Sequence, residues 1–136
     1  MPLVDITCKP KSYPSATTAG TKAQQLTEAF GEGLPALFVN HCDLLGLSEG
    51  TPEAAVQVDY HRFHSKAVNA PDMWVLVRFS EPYPNNKQAR RVRNRLDELI
   101  RDWFDHNNQP LPDIAVDLMW GPTHGFLEFA DTSERW

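Results

Sequence analysis

The sequence predicts an α+β fold: two βαβ repeats that form a four-stranded mixed sheet with two helices on one face. Three observations carry this. Pro52-Glu53-Ala54-Ala55-Val56-Gln57-Val58-Asp59-Tyr60 is echoed by Pro112-Asp113-Ile114-Ala115-Val116-Asp117-Leu118-Met119-Trp120. In both copies a proline and an acid lead into a β-branched strand that ends in an aromatic. Tyr13-Pro14-Ser15 is likewise echoed by Tyr83-Pro84-Asn85, each after an apolar strand and before a helical pattern. The third observation is a long amphipathic helix between two apolar strands, the crossover that parallel pairing requires. The first echo has an offset of 60 and the second of 70, so the first half carries about ten extra residues. The chain reads as a single domain, 1–136, with repeat halves of about 2–64 and 72–130.

Taken in order, the first strand is Leu3–Cys8, an apolar segment that follows Pro2. Next, Leu26, Phe30, Leu34, Leu37, His41 and Leu44 keep helical register, although Gly31, Gly33 and Pro35 interrupt it. One reading is a kinked helix from about Gly20 to Leu45, with the carbonyl of Gly31 losing its hydrogen bond to Pro35. The other ends the helix near Gly31 and makes Ala36–Cys42 an extra strand; the kinked helix is preferred. Strands follow at Ala55–Phe63 and Met73–Phe79. From Asn85 to about His106, Ala89, Val92, Leu96, Leu99, Ile100 and Trp103 form a buried stripe. Asn85 or Asn86 caps its start, and Asn107, Asn108 and Pro110 end it. The last strand is Ile114–Met119. With both helices on one face, the other face is left for another subunit to cover.

Composition bounds the function. A chain of 136 residues that is 41% hydrophobic and 23% charged can build a core. A net charge of −5 argues against nucleic acid as the main partner. No apolar stretch approaches the roughly 20 residues of a membrane span, and no basic segment precedes an apolar run at the N-terminus. Cys8 and Cys42 fit a reducing compartment, so a cytoplasmic location is expected. Histidines 61 and 64, three apart on a strand, point to opposite faces, so no metal site is expected. The cations of the second helix, Lys87, Arg90, Arg91, Arg93, Arg95 and Arg101, read as a solvated face balanced by Asp97, Glu98 and Asp102.

The candidate site starts at Pro2. A small second residue lets the initiator methionine be removed, which would make Pro2 a terminal secondary amine. A free α-amino group titrates at about 7.7–8.0, and burial beside cations lowers it toward the range of a general base. Arg62 and Arg78 lie near strand ends and could supply such a cation. Arg78 sits in an apolar strand, where a lone charge needs a function or a partner such as Asp5 or Asp117. The turn Trp120-Gly121-Pro122-Thr123-His124-Gly125-Phe126 could wall a site or dock on a neighbour.

An N-terminal proline heading a strand, two βαβ halves and a late strand entering a Gly-Pro turn together resemble the tautomerase superfamily. This is the group of 4-oxalocrotonate tautomerase, 5-carboxymethyl-2-hydroxymuconate isomerase, macrophage migration inhibitory factor and the chloroacrylic acid dehalogenases. The resemblance implies a homotrimer with Pro2 as catalytic base or acid, no cofactor and a small carboxylate-bearing substrate, here a 2-hydroxydienoate or enolpyruvate type. It places Lys11, in Lys9-Pro10-Lys11, where members hold a substrate carboxylate by arginine. It matches His41 to a helical histidine of one dehalogenase group and Asp117 to a polar strand residue that contacts substrate. It puts Trp120 and His124 in the wall of the proline pocket. The dehalogenases carry an arginine pair where this chain has Ser80-Glu81-Pro82-Tyr83. Keto–enol isomerisation is therefore favoured over dehalogenation and malonate semialdehyde decarboxylation, with a dehalogenase- or hydratase-like member as an alternative. The alternative from another class is a non-catalytic oligomeric binding protein on the same scaffold.

Overall fold

The computed structural model describes residues 2–14, 20–121 and 128–129. The elements run β1 (Leu3–Cys8), α1 (Lys22–Val39), β2 (Gln57–Arg62), β3 (Met73–Phe79), α2 (Asn86–His106), β4 (Ile114–Trp120) and β5 (Glu128–Phe129). They form one mixed sheet in the order β2-β1-β3-β4-β5. β1 pairs parallel to β2 and β3 parallel to β4, while the two βαβ halves meet antiparallel through β1 and β3. The four-stranded mixed sheet and its two helices are as expected, and β5, antiparallel on β4, extends it by one short strand.

Burial alternates along the strands and places both helices on one face. Val4 and Ile6 of β1, Val75 and Val77 of β3, and Val116 and Leu118 of β4 are at most 1% exposed. Against them pack Phe30, Leu34 and Phe38 of α1 and Leu96, Ile100 and Phe104 of α2. Phe30 holds the helices together, its ring 5.3 Å from Trp103 and 5.2 Å from Phe104. The alternate positions face the other way: Asp59 and His61 on β2, Leu3 and Asp5 on β1, Leu76 and Arg78 on β3, Asp117 and Met119 on β4.

Several boundaries differ from expectation. The first helix is continuous through Pro35, and no strand forms over 36–42. It is shorter than Gly20–Leu45: Thr21 caps it by a reciprocal box with Gln24, and it ends at Val39 before a run of turns to 46. Its two interrupting glycines have a packing cause. A Cβ on Gly31 would lie 2.7 Å from Tyr60 Cζ, and one on Gly33 would lie 2.8 Å from Trp103 Nε1. Side chains crossing α1 thus require bare backbone there. The second strand starts at Gln57 because Glu53–Ala55 closes a 3-10 turn, and it ends at Arg62. The second helix keeps its expected span, with the Asn85 side chain accepting from Gln88 N–H.

Candidate functional site

The topology decides which residues share an end of the sheet. β1 begins where β3 and β4 end, because Leu3 stands opposite Arg78 and Phe79 stands beside Trp120. Each helix runs back along its preceding strand, so the turns after α1 and the start of α2 arrive at this same end. Pro2 lies here. It is buried, and its carbonyl accepts a hydrogen bond from Gln57 N–H at 3.2 Å.

A cavity of about 320 Å³ opens at this end. Trp120 forms one wall, and Leu45, Pro82, Gln88, Arg91 and Val92 are among its lining. Trp120 is held rigidly: it stacks on Phe79 at 5.0 Å and meets the edge of Tyr83 at 5.7 Å. The Tyr83 hydroxyl in turn bonds Asn86 at the start of α2. His41 belongs to the turns that follow α1, one residue past the Asn40 cap, and is not helical. Its Nδ1 donates to the Leu37 carbonyl at 2.9 Å, which leaves Nε2 as the acceptor of the neutral ring.

The other expected site residues lie elsewhere. Arg78 and Asp117 are on the face opposite the helices. Arg78 is ion-paired with Asp5, one of the two partners its apolar strand pointed to. Asp117 accepts from Trp74 Nε1 at 2.9 Å, tying β4 to β3. Lys11 is exposed in the 3-10 turn Pro10–Ser12, beyond the far end of β1. A strand of 6 residues separates it from Pro2, which at about 3.3 Å per residue is about 20 Å. His124 and Met1 lie outside the described residues.

Two arrangements were not foreseen. Parallel register sets Asp5 opposite Asp59, with His61 two residues further along β2. His61 Nε2 donates to Asp5 Oδ1 at 3.0 Å and lies 3.7 Å from Asp59 Oδ2. These three are the one metal-compatible group among the described residues. Both Asp5 oxygens are already engaged, by His61 and by the Arg78 guanidinium, whose positive charge opposes a cation. The group is thus a charge chain across three strands. Its members are single charged letters whose meeting depends on register, which the sequence does not display. The second arrangement is a basic groove at the Lys11 end, where the chain leaves β1 and β2.

Cysteine chemistry is quiet on the sheet. Burial pushes the Cys8 thiol up to about 11, and Cys42 is half-buried and free. Among the described residues no helix is long and apolar enough to cross a membrane.

No family model matches the chain, and no curated protein is similar to it in sequence. Solved structures are similar in fold. N1, a member of the cis-3-chloroacrylic acid dehalogenase family, superposes with a TM-score of 0.55 at 16% identity, over 98% of this chain and 89% of that one. Native Ps01740 gives a TM-score of 0.52 at 9% identity, over 93% and 99% of the two chains. Pt0534 inactivated by 2-oxo-3-pentynoate gives 0.51 at 16% identity, over 91% and 89%. With its paired βαβ units, mixed sheet and helices on one face, the chain shares the fold of these solved structures.

Proposed function

We propose that the chain, with Met1 removed, is a cofactor-free tautomerase that uses the Pro2 amine as general base and then general acid. The observation that carries the reading is the position of Pro2. It is buried at the head of a central strand, at the sheet end where a Trp120-walled cavity opens. The neutral amine takes the hydroxyl proton of an enol acid. The O–H pair becomes the carbonyl π bond, the C=C pair moves to the far carbon, and the protonated amine returns its proton there. Nothing is oxidised or reduced. Trp120 lines the cavity, whereas Pro2 and His41 stand at the same end of the sheet outside its lining, so the reading has the substrate span from the cavity to the Pro2 amine. The carboxylate of a 2-hydroxydienoate or enolpyruvate-type acid would be met by Arg91, the cation of a lining that also holds Asp43 and Glu81. Arg78 is already neutralised by Asp5, so the reading gives it a structural part.

We further propose that the sheet face without helices is covered by two more copies, as a homotrimer. The fold likeness to N1 and Pt0534 supports the scaffold for this chemistry. It does not separate isomerisation from the dehalogenase chemistry named for the family of N1.

The experiment compares the processed chain with one extended by an uncleaved residue before Pro2. Phenylenolpyruvate and 2-hydroxymuconate are the substrates, with 3-chloroacrylate as a second arm. Ketonisation by the processed form alone is expected, because an amide nitrogen has no basic lone pair. A second readout is covalent. 2-Oxo-3-pentynoate is a conjugated ynone, and the amine adds to its alkyne while the nitrogen proton moves to the adjacent carbon. Peptide mapping should find the whole inhibitor mass on Pro2. Equal rates in both forms would remove Pro2 from the mechanism, and equal rates at the uncatalysed background would leave an oligomeric binding protein.

A further inference from the structure

We propose that the basic groove between the 3-10 turn after β1 and the loop after β2 is a second binding site, for a small organic acid with a flat apolar body. Two contiguous cavities of about 450 and 410 Å³ share Pro10, Phe63, His64 and Ser65. Arg62 borders the first, and Lys9 and Lys11 border the second. Among the described residues, no acidic one lines either cavity. In a chain of net charge −5 this is a local reversal of sign.

The cations differ in what already holds them. Lys9 is committed to Asp72 at 3.0 Å. Lys11 and Arg62 are exposed and are paired with no carboxylate among the described residues. Arg62 is positioned instead by the Tyr13 ring, 5.5 Å beneath its guanidinium carbon, which leaves its N–H fork available. His64 Nδ1 accepts from Lys66 N–H at 3.0 Å, so the proton of the neutral ring is on Nε2, which is a donor. The positive field is visible on Asp72, whose carboxyl is held below its usual value first by the Lys9 hydrogen bond, with Lys11 contributing. Phe63, Pro10, Ala67 and Ala70 supply an apolar wall beside these donors. Oxyanion donors next to such a wall are what an aryl carboxylate or aryl phosphate requires.

The groove stands at the opposite end of β1 from Pro2, so it does not depend on the proposed reaction. The test uses the full chain with benzoate and phenyl phosphate, and with acetate and inorganic phosphate as headgroups alone, followed by amide chemical shifts. Saturable shifts confined to residues 9–11 and 62–67 are expected, with each aryl acid at least about tenfold tighter than its headgroup. The tighter of the two aryl acids identifies the headgroup. Lys11→Gln with Arg62→Gln should weaken binding by about tenfold or more without changing the fold, since both residues are exposed. Binding should persist in the chain extended before Pro2. Absence of saturation by about 10 mM would overturn the proposal. So would unchanged affinity in the double variant, equal affinity for the bare headgroups, or loss of binding when Pro2 is blocked.

Discussion

At the scale of single residues, the two glycines of α1 show how a local rule is broken for a packing reason. Glycine inside a helix costs roughly 0.5–1 kcal/mol against alanine. At Gly31 that cost is accepted because the Tyr60 ring crosses the helix and its hydroxyl reaches the Glu28 carbonyl at 3.3 Å. Gly31→Ala should therefore destabilise by about 1–3 kcal/mol despite its better propensity. Urea unfolding of the pair of proteins measures this, and a gain in stability would show that Tyr60 yields freely. Cysteine reactivity is a second residue-scale outcome. With Cys8 fully buried and its thiol pushed up to about 11, only Cys42 should react with an aromatic disulfide reagent at pH 8 before unfolding. Asp72 gives a pH dependence. Its folded-state carboxyl lies below the usual 3.8, chiefly through Lys9, so its stabilisation is present above that value. It is lost as pH falls through the lower, folded value. Asp72→Asn should lower stability slightly at neutral pH, leave it unchanged at the acid extreme where Asp72 is protonated, and so flatten the acid limb between the two.

Among the elements, α2 was the most legible in the sequence and α1 the least. Of the expected stripe, Ala89, Leu96 and Ile100 are buried and Val92, Leu99 and Trp103 are half-buried; Phe104, which the stripe did not include, is buried with them, and the expected Asn85 cap is present. Its period is regular, and its outer face is charged enough to leave no ambiguity. In α1 the same period is broken by residues that answer to Tyr60 and Trp103, partners distant in sequence, so its end could not be read locally. β2 shows the same limit: the expected strand ran from Ala55 to Phe63, but Ala55 closes a 3-10 turn and Phe63 borders the basic groove. Pro2, Trp120 and His41 were legible as residues, and the topology brings all three toward one end of the sheet. Lys11 was legible only as a charge, and its distance from Pro2 follows from strand direction. Leu96→Ala tests the helix-on-sheet packing. It removes a side chain of zero exposure facing the sheet and should cost about 2–5 kcal/mol by urea unfolding. A loss below about half a kcal/mol would mean that the stripe can collapse or does not carry the fold.

For the whole molecule, the uneven treatment of the two sheet faces is the main physical fact. One face is sealed by twenty-one residues of α2 and eighteen of α1. The other carries Leu3, Leu76, Ala115 and Met119 between polar groups that already bond within the chain: Arg78 to Asp5, His61 to Asp5, and Trp74 to Asp117. A face of neutralised charges and partly covered apolar side chains is suited to meet another protein surface with little desolvation penalty. The proposed homotrimer uses this face, and Leu76 stands at its middle, between Asp5 on β1 and Asp117 on β4 in register. Leu76→Arg places a long cation there. In a single chain the guanidinium reaches water and both neighbouring carboxylates, so folding should survive, with the unfolding midpoint little changed. Between copies the same cation is buried without a third partner, a cost of several kcal/mol at each interface. Light scattering at micromolar concentration should therefore report three chains for the parent protein and one for the variant. A parent that scatters as a stable monomer, or a variant that remains trimeric, would mean that assembly does not use this face.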